Sequence, residues 1–267
     1  MRSDEAVFTP FHRGGSGPPL VLIHGFTDTW RSWELVLPTL ERSHDVLAPT
    51  LPGHAGGPPL PDPIDESVMA DAVERAMDEA GFETAHIAGN SLGGYVTLQL
   101  AARGRASSAV ALAPAGGWAE NDASYSEMLD LQSSLLELTK AAAPHAAALL
   151  STMEGRRRAT ELIATNFEHI PVELLTHQLM GVASCHDGRR MIEYGRTQAW
   201  DLDTAAIDCP VRIVWGTDDR LLPWPSAAER YRRTLPQADW VELEGIGHCP
   251  QLDVPVETAQ LILGFGS

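Results

Sequence analysis

Ser91 is the residue whose setting points most directly to chemistry. It lies in Gly89-Asn90-Ser91-Leu92-Gly93, the Gly-x-Ser-x-Gly pattern that places a serine on a sharp strand-to-helix turn. The glycines fit this turn because side chains there would collide with neighbouring backbone. The turn directs the hydroxyl towards a helix N-terminus, where backbone N–H groups stabilise negative charge. The pattern predicts a nucleophile, but it also occurs in plain connections, so the prediction depends on partners elsewhere in the chain.

The elements that would position Ser91 alternate along the chain. A strand over 84–88 precedes it, and a helix over 93–101 follows it. Further short apolar runs predict strands at 6–12, 20–23, 44–49, 108–113, 211–215 and 240–243, with helical patterns at 30–42, 64–80, 225–235 and 254–265. Alternating strands and helices predict an α/β fold, with a mostly parallel twisted sheet of seven or eight strands covered by helices on both faces.

The pattern changes between residues 115 and 203. Strand signals vanish there, and helical spacing dominates at 125–140, 141–153, 158–166, 172–180 and 189–197. We therefore expect a core domain formed by residues 1–114 and 204–267, with residues 115–203 inserted into it as a helical cap.

Composition narrows the classes of function. The chain has 267 residues and a formal net charge of −17, which disfavours binding to nucleic acid and to anionic membrane surfaces. No stretch is long and apolar enough to span a membrane, and the first residues lack an apolar signal region. Cys185, Cys209 and Cys249 match neither a disulfide framework nor a zinc pattern. These features predict a cytoplasmic protein without a metal site.

The Gly-x-Ser-x-Gly turn (the nucleophile elbow), the alternation of strands with helices and the helical insertion together resemble the α/β-hydrolase superfamily. The resemblance is to its serine-nucleophile, carboxylesterase-like branch with a helical cap. The resemblance covers nearly the whole chain. It implies a catalytic triad in the order serine, acid, histidine, and no cofactor. The N-terminus is one strand short of the family's opening hairpin, so seven strands are expected rather than eight.

The resemblance also implies the positions of the acid and the base. The run from Gly216 to Pro223 is similar to the family's acid motif and favours Asp219 over its neighbour Asp218. The run from Gly245 to Pro255 matches the family's glycine-histidine motif and indicates His248 as the general base. His86, inside a strand, is expected to be a packing residue.

In this family the serine attacks a carbonyl while the histidine takes its proton, and the acid holds the imidazole. Two backbone N–H groups then stabilise the oxyanion. Here these groups would belong to Phe26 and Leu92. Haloalkane dehalogenases and epoxide hydrolases of this fold carry an aspartate at the elbow and dienelactone-type enzymes a cysteine, whereas this chain carries Ser91.

The predicted cap supplies apolar candidates for a substrate pocket. These are Trp118, Met128, Leu131, Met153, Phe167, Leu179 and Met180. As a set they predict an apolar acyl or alcohol pocket, although packing between cap helices explains any single one of them equally simply. The run from Arg156 to Arg158 is typical of a solvated helix start, with anion binding as the alternative.

The sequence therefore predicts a serine hydrolase acting on a small-to-medium apolar ester, lactone or thioester through an acyl-enzyme. One alternative is hydrolysis of a carbon–carbon bond in ring-cleavage products, because Gly89-Asn90-Ser91 resembles the branch of the family that performs this reaction. The other alternative is a non-catalytic ligand receptor on the same fold. The expected partner is a small molecule, and the protein is expected to be a monomer or a homodimer.

Overall fold

A central sheet of seven strands dominates the computed structural model, which describes residues 7–119, 122–197 and 199–265. The strands are Phe11–Gly15 (β1), Pro19–Ile23 (β2), Asp45–Pro49 (β3), Ala85–Asn90 (β4), Ala106–Leu112 (β5), Val211–Gly216 (β6) and Asp239–Leu243 (β7). Their order in the sheet is β1-β3-β2-β4-β5-β6-β7, with β1 antiparallel to β3 and every other pair parallel. The predicted α/β class and the mostly parallel sheet are confirmed.

Each central strand buries both of its faces. In β2, Val21 and Ile23 pack into one apolar cluster, whereas Leu20 and Leu22 pack into a second cluster on the opposite side. Successive side chains of a strand point to opposite faces, so a continuous apolar run is what a sheet covered on both sides requires. This explains why the strand sequences lack polar alternation.

The helices lie between the strands in chain order. They are Leu37–Leu40 (α1), Val68–Ala80 (α2), Leu92–Ala102 (α3), Ala123–Ala142 (α4), Ala146–Leu150 (α5), Met153–Thr160 (α6), Val172–Ala183 (α7), Gly188–Gly195 (α8), Glu229–Thr234 (α9), Pro250–Asp253 (α10) and Pro255–Leu263 (α11). Short 3-10 turns occupy Trp30–Trp33, Ala143–His145, Thr204–Ala206 and Ser226–Ala228.

Several predicted bounds differ from the structure. The helix expected over 30–42 divides into a 3-10 turn and α1. The edge strand expected over 6–12 begins only at Phe11, after Pro10, and Ala6 lies outside the described residues. The helix expected over 158–166 lies earlier, at Met153–Thr160 (α6), where Thr152 caps its start by accepting a hydrogen bond from the Gly155 N–H.

Between β5 and β6 the described residues form helices α4 to α8 and two 3-10 turns. Helix α4 packs against α7 and α8, and α5 packs against α6 and α7. This helical segment contacts the rest of the molecule: α7 approaches the 3-10 turn at Trp30–Trp33, and Thr204–Ala206 approaches α3. No helix in the described part of the chain is both long and apolar enough to cross a lipid bilayer.

The carboxyl ends of the parallel strands meet at one edge of the sheet. His24 and Gly25 follow β2, Ser91 follows β4, Asp219 lies three residues beyond β6, and His248 lies five residues beyond β7. In open α/β sheets this edge is where ligands bind. The topology therefore collects residues that are distant in sequence.

Candidate active site

Ser91 occupies the turn between β4 and α3 in a backbone conformation that L-residues rarely adopt. Its φ is 57° and its ψ is −116°. Such a conformation persists only when its surroundings hold it in place. The Ser91 N–H donates to the carbonyl of Leu112 (2.9 Å), and its own carbonyl accepts from Tyr95 and from Ala115. Ser91 is only 7% exposed, so the turn presents its side chain to an enclosed space.

The two motif glycines allow this turn because backbone passes close to both. A Cβ at Gly89 would come within 2.1 Å of the Gly93 carbonyl oxygen, and a Cβ at Gly93 within 2.1 Å of the Ile23 carbonyl oxygen. Both contacts involve backbone of the central sheet and of α3, which cannot move aside as a flexible side chain would. The glycines are therefore a packing requirement of the turn.

Asp219 and His248 form a buried pair at the same sheet edge. The Asp219 Oδ2 atom lies 2.7 Å from His248 Nδ1, and both side chains are almost completely buried. The other carboxylate oxygen of Asp219 accepts hydrogen bonds from the N–H groups of Leu221 (2.9 Å) and Leu222 (2.7 Å). These bonds fix the orientation of the carboxylate, so it can hold the imidazole by the edge that carries Nδ1. The neighbouring Asp218 is exposed.

The opposite ring nitrogen of His248 is free of protein partners. Nε2 is buried and makes no hydrogen bond to any of the described residues. Ser91 and His248 both line a cavity of about 540 Å³, here called the larger cavity. With Nδ1 protonated towards Asp219, Nε2 is an acceptor available to take a proton inside this cavity.

Two backbone N–H groups border Ser91 without an acceptor among the described residues, those of Phe26 and Leu92. The Phe26 loop is held by His24, whose Nε2 accepts from the Leu51 N–H (2.9 Å) and whose Nδ1 donates to the Gly25 carbonyl (2.7 Å). Burial, reinforced by the neighbouring His54, places the pKa of His24 well below its usual range. A neutral His24 therefore braces the loop.

A second cavity of about 100 Å³ also reaches Ser91 and is here called the smaller cavity. Phe26, Ser91 and Gln132 line both cavities. An aromatic cluster surrounds the smaller one: Tyr95, Trp118, Tyr125 and Trp200. Ser91 thus lies where two cavities of different volume meet.

The structure divides the predicted pocket residues into two groups. Trp118 and Met128 line the smaller cavity, and Leu179 lines the larger one. The other four lie away from both cavity walls: Leu131, Met153, Phe167 and Met180.

The physical reasons for this correction differ from residue to residue. Met153 opens α6 on the surface and is 52% exposed, and Leu131 is likewise an exposed side chain of α4. Phe167 is buried in an apolar cluster with Leu150 and Leu174. Packing within the helical segment, the alternative that the sequence left open, therefore accounts for Phe167.

Asp28 is a carboxylate in the larger cavity that the sequence did not single out. Its Oδ1 accepts from the Thr29 N–H (2.8 Å), and its Oδ2 accepts from the Gln178 side-chain amide (3.1 Å). Burial raises the pKa of Asp28 to about 6, and the two hydrogen bonds only partly offset this rise. Asp28 could have been predicted to lie near the site because it follows Phe26 by two residues. Nothing in the sequence of α7 indicated Gln178.

The arginine run at the end of α6 is explained by ion pairs within its own helix. Arg157 and Arg158 pair with Glu154 within α6 at 2.8 and 2.7 Å, as expected for a solvated helix start. The described residues contain no group of three or more His, Cys, Asp or Glu side chains placed to hold a metal ion.

Sequence comparison now places the chain. A family model described as the alpha/beta hydrolase family matches residues 20–261. The chain belongs to the α/β-hydrolase family. The seven-stranded, mostly parallel sheet with helices is consistent with the fold of this family.

Relatives of this α/β hydrolase carry several names. It is 30% identical over 210 residues to an epoxide hydrolase, EphH, of Mycobacterium tuberculosis, covering 76% of this chain and 95% of that protein. It is 35% identical over 99 residues to a 2-hydroxymuconate semialdehyde hydrolase of a Pseudomonas species, covering 36% and 35% of the two chains. The structure of an esterase from Thermogutta terrifontis has the same fold, with a TM-score of 0.71 and 22% identity over 96% of this chain and 91% of that one.

The close approach at the elbow predicts the effect of a single methyl group. Gly93→Ala should lower the free energy of unfolding by about 2 kcal/mol or more, because the added Cβ overlaps backbone of β2. Gly181→Ala is the matched control: it also adds a methyl group inside a helix, but the nearest atom is 3.5 Å away. Urea unfolding at neutral pH measures both, and equal stability of the two variants would contradict the steric explanation.

The raised pKa of Asp28 predicts a stability effect with a definite sign. Its ordinary value is 3.8 and its value in the fold is about 6, so folding favours the protonated form, and ionisation destabilises the fold as pH rises from about 4 to 6. Asp28→Asn should therefore gain stability relative to wild type over this interval, by roughly 1–2 kcal/mol. Urea unfolding of both proteins across this pH range tests this, with exposed Asp218→Asn as a control that should show no such trend.

Proposed function

We propose that this α/β hydrolase is a serine carboxylic ester hydrolase that uses Ser91, His248 and Asp219. The observation that carries the proposal is the buried Asp219–His248 pair, whose unpartnered Nε2 shares a cavity with Ser91. A buried imidazole nitrogen without a partner is unfavourable unless something uses it. Proton transfer from the Ser91 hydroxyl is the use that this arrangement supports best.

The proposed reaction proceeds through an acyl-enzyme. Ser91 Oγ attacks the ester carbonyl while His248 Nε2 takes its proton, and Asp219 stabilises the resulting imidazolium. The N–H groups of Phe26 and Leu92 donate to the oxyanion. His248 then protonates the leaving alcohol, and water deacylates Ser91 by the same steps in reverse. Free serine hydroxyl and neutral imidazole are thereby regenerated.

The cavities support a small-to-medium ester, lactone or thioester as substrate. The smaller cavity is walled mainly by aromatic and aliphatic side chains, which favours an apolar group on one side of the carbonyl. The larger cavity has room for the remainder of the molecule. A carbonyl at Ser91 would place one substituent in each space.

Epoxide opening is disfavoured by the chemistry of a serine nucleophile. If Ser91 attacked an epoxide carbon, the ring C–O bond would break and a stable ether to the enzyme would form. Such an ether has no carbonyl at which water can attack, whereas a carboxylate nucleophile would leave a hydrolysable ester. The name of the mycobacterial relative therefore does not transfer to this chain.

Carbon–carbon hydrolysis is the second candidate. It is favoured by the local similarity to the 2-hydroxymuconate semialdehyde hydrolase, which reaches 35% identity over 99 residues. The same triad would act, with a carbanion instead of an alkoxide as leaving group. Spectrophotometric loss of a dienol diketone, with no turnover of esters, would favour this candidate over the first.

We further propose that residues 115–203 act as a cap domain over Ser91. The support is that α4, α7 and α8 each contribute side chains to the cavities that reach Ser91, among them Gln132, Leu179 and Met191. These side chains would select substrates by shape, while the residues at the sheet edge perform the reaction.

Replacing the nucleophile should abolish turnover without unfolding the protein. Ser91→Ala should lower kcat for p-nitrophenyl butyrate by at least ~10³-fold, because no other group in the site can form the acyl-enzyme. The assay should extend from acetate to octanoate to size the pocket, with exposed Ser226→Ala as the matched control. A folded wild-type protein that hydrolyses none of these esters would refute the esterase proposal.

The adjacent carboxylates Asp218 and Asp219 allow a sharp test of the acid. Asp219→Asn should lower kcat by ~10³-fold or more, because the amide no longer stabilises the His248 imidazolium. Asp218→Asn should retain activity close to wild type, because this side chain is exposed. The opposite ranking in p-nitrophenyl ester assays would reassign the triad acid.

A further inference from the structure

We propose that Asp28 and Gln178 form a polar anchor that accepts hydrogen bonds from a hydroxyl or ammonium group of the substrate. The preferred ester would then carry such a donor on the part that fills the larger cavity. This inference rests on the proposed ester hydrolysis and specifies its substrate class. The pair consisting of the Asp28 carboxylate and the Gln178 side-chain amide is called the polar anchor below.

The position of the polar anchor is the first argument. Asp28 and Gln178 both line the larger cavity, which Ser91 and His248 also line. Asp28 lies on the loop after β2, and Gln178 lies on α7, so the two sides of the cavity wall meet at their hydrogen bond of 3.1 Å. A substrate bound at Ser91 and extending into this cavity would pass along the pair.

Unused acceptor capacity is the second argument. Each carboxylate oxygen of Asp28 accepts one hydrogen bond from the protein, although a carboxylate oxygen can accept two. Gln178 is 8% exposed, and its Oε1 has no hydrogen-bond partner among the described residues. The Gln178 N–H₂ group must face the carboxylate, so Oε1 is left as a buried acceptor that lacks a donor.

Such an acceptor is costly to bury without a partner. A ligand that brings an O–H or N–H₃⁺ group to the polar anchor would satisfy it. An apolar substrate would leave it unsatisfied, and the difference in binding would appear as substrate preference.

Charge is the third argument. No Arg, Lys or His forms an ion pair with Asp28 within the described part of the chain. The cavity's Arg158 is already paired with Glu154 at 2.7 Å. The Cys249 thiol feels this charge: its pKa is raised chiefly by burial and further by the charge of Asp28. A buried carboxylate without a counter-charge is unfavourable in the free protein, and a ligand cation would supply the missing charge.

A purely structural role makes a different prediction. The polar anchor also joins the loop after β2 to α7, so removing it should lower stability. A structural tie would not, however, change the ratio of the kcat/KM values that the folded protein shows for two esters of equal length. Substrate preference therefore separates the two roles.

The test compares esters that differ only in a terminal group. Base uptake at pH 8 gives kcat/KM for methyl octanoate, methyl 8-hydroxyoctanoate and methyl 8-aminooctanoate, and for octyl acetate with its 8-hydroxy and 8-amino analogues. We expect at least one donor-bearing ester to exceed its plain counterpart by about fivefold or more in wild type. In Asp28→Asn this ratio should fall to about two or less.

The matched control is Asp218→Asn, which removes an exposed carboxylate that lines neither cavity and should retain the wild-type ratio. Gln178→Met, which removes the unpartnered Oε1, should also reduce the ratio. If wild type hydrolyses the plain esters as well as every donor-bearing ester, the inference is overturned while the ester hydrolase proposal stands.

The preference for the amino ester should also depend on pH. Lowering the pH from 8 to 5 protonates Asp28, so the ratio should fall through a midpoint near 6. The other charged or ionisable groups that line this cavity are Arg158, Glu161, His248 and Cys249, and His177 lies on α7 beside Gln178. The ratio compares two esters on the same protein at the same pH, so any effect common to both esters cancels. A ratio that stays constant over this range would contradict the inference.

A binding measurement keeps the inference testable if no ester is hydrolysed, which would refute the proposed function. Calorimetric titration of Ser91→Ala with octan-1-ol and with 8-aminooctan-1-ol compares affinities directly. We expect about fivefold tighter binding of the amino alcohol, and loss of this difference when Asp28→Asn is added. Equal affinities in Ser91→Ala would overturn the inference independently of catalysis.

Discussion

The close approach of backbone around Ser91 is the constraint on which the rest of this molecule depends. Strand β4, helix α3 and the end of β2 converge so tightly that Gly89 and Gly93 have no room for a Cβ. This convergence holds Ser91 at a φ of 57° and brings its side chain to the edge where the parallel strands end. A turn this strained is stable only because both faces of the sheet are fully buried.

The site contains two buried carboxylates in contrasting environments. Asp219 accepts two backbone hydrogen bonds on one oxygen, and its other oxygen faces the His248 imidazole. Asp28 has one backbone and one amide partner and no ion-pair partner among the described residues, and burial raises its pKa to about 6. Environments that separate two carboxylates in this way are typical of sites that assign them different tasks. Here Asp219 contacts the His248 imidazole, whereas Asp28 lies in the cavity wall.

The relatives of this chain combine one scaffold with varied reactions, as their names show: epoxide hydrolase, 2-hydroxymuconate semialdehyde hydrolase and esterase. A shared sheet explains this variety because it fixes only where the reactive groups stand. In our proposal, the residue at the turn after β4 and the side chains supplied by α4, α7 and α8 decide which bond is reached. In this protein those features are a serine and a cavity with one polar wall.

The sequence by itself determined most of the strands and the alternation of strands with helices. Apolar runs and the glycines around Ser91 are local signals, because a buried strand and a tight turn each restrict the residues at their own positions. The motifs around Asp219 and His248 are equally local, so the sequence alone is enough to propose both residues. What the sequence could not settle was contact between distant segments: that Leu179 faces the cavity while Met153 faces solvent, and that Gln178 meets Asp28 across 150 positions. Only the tertiary structure decided these, because the residues that meet the cavity depend on how the helices pack against one another and against the sheet. The apolar residues of a single helix do not specify that packing.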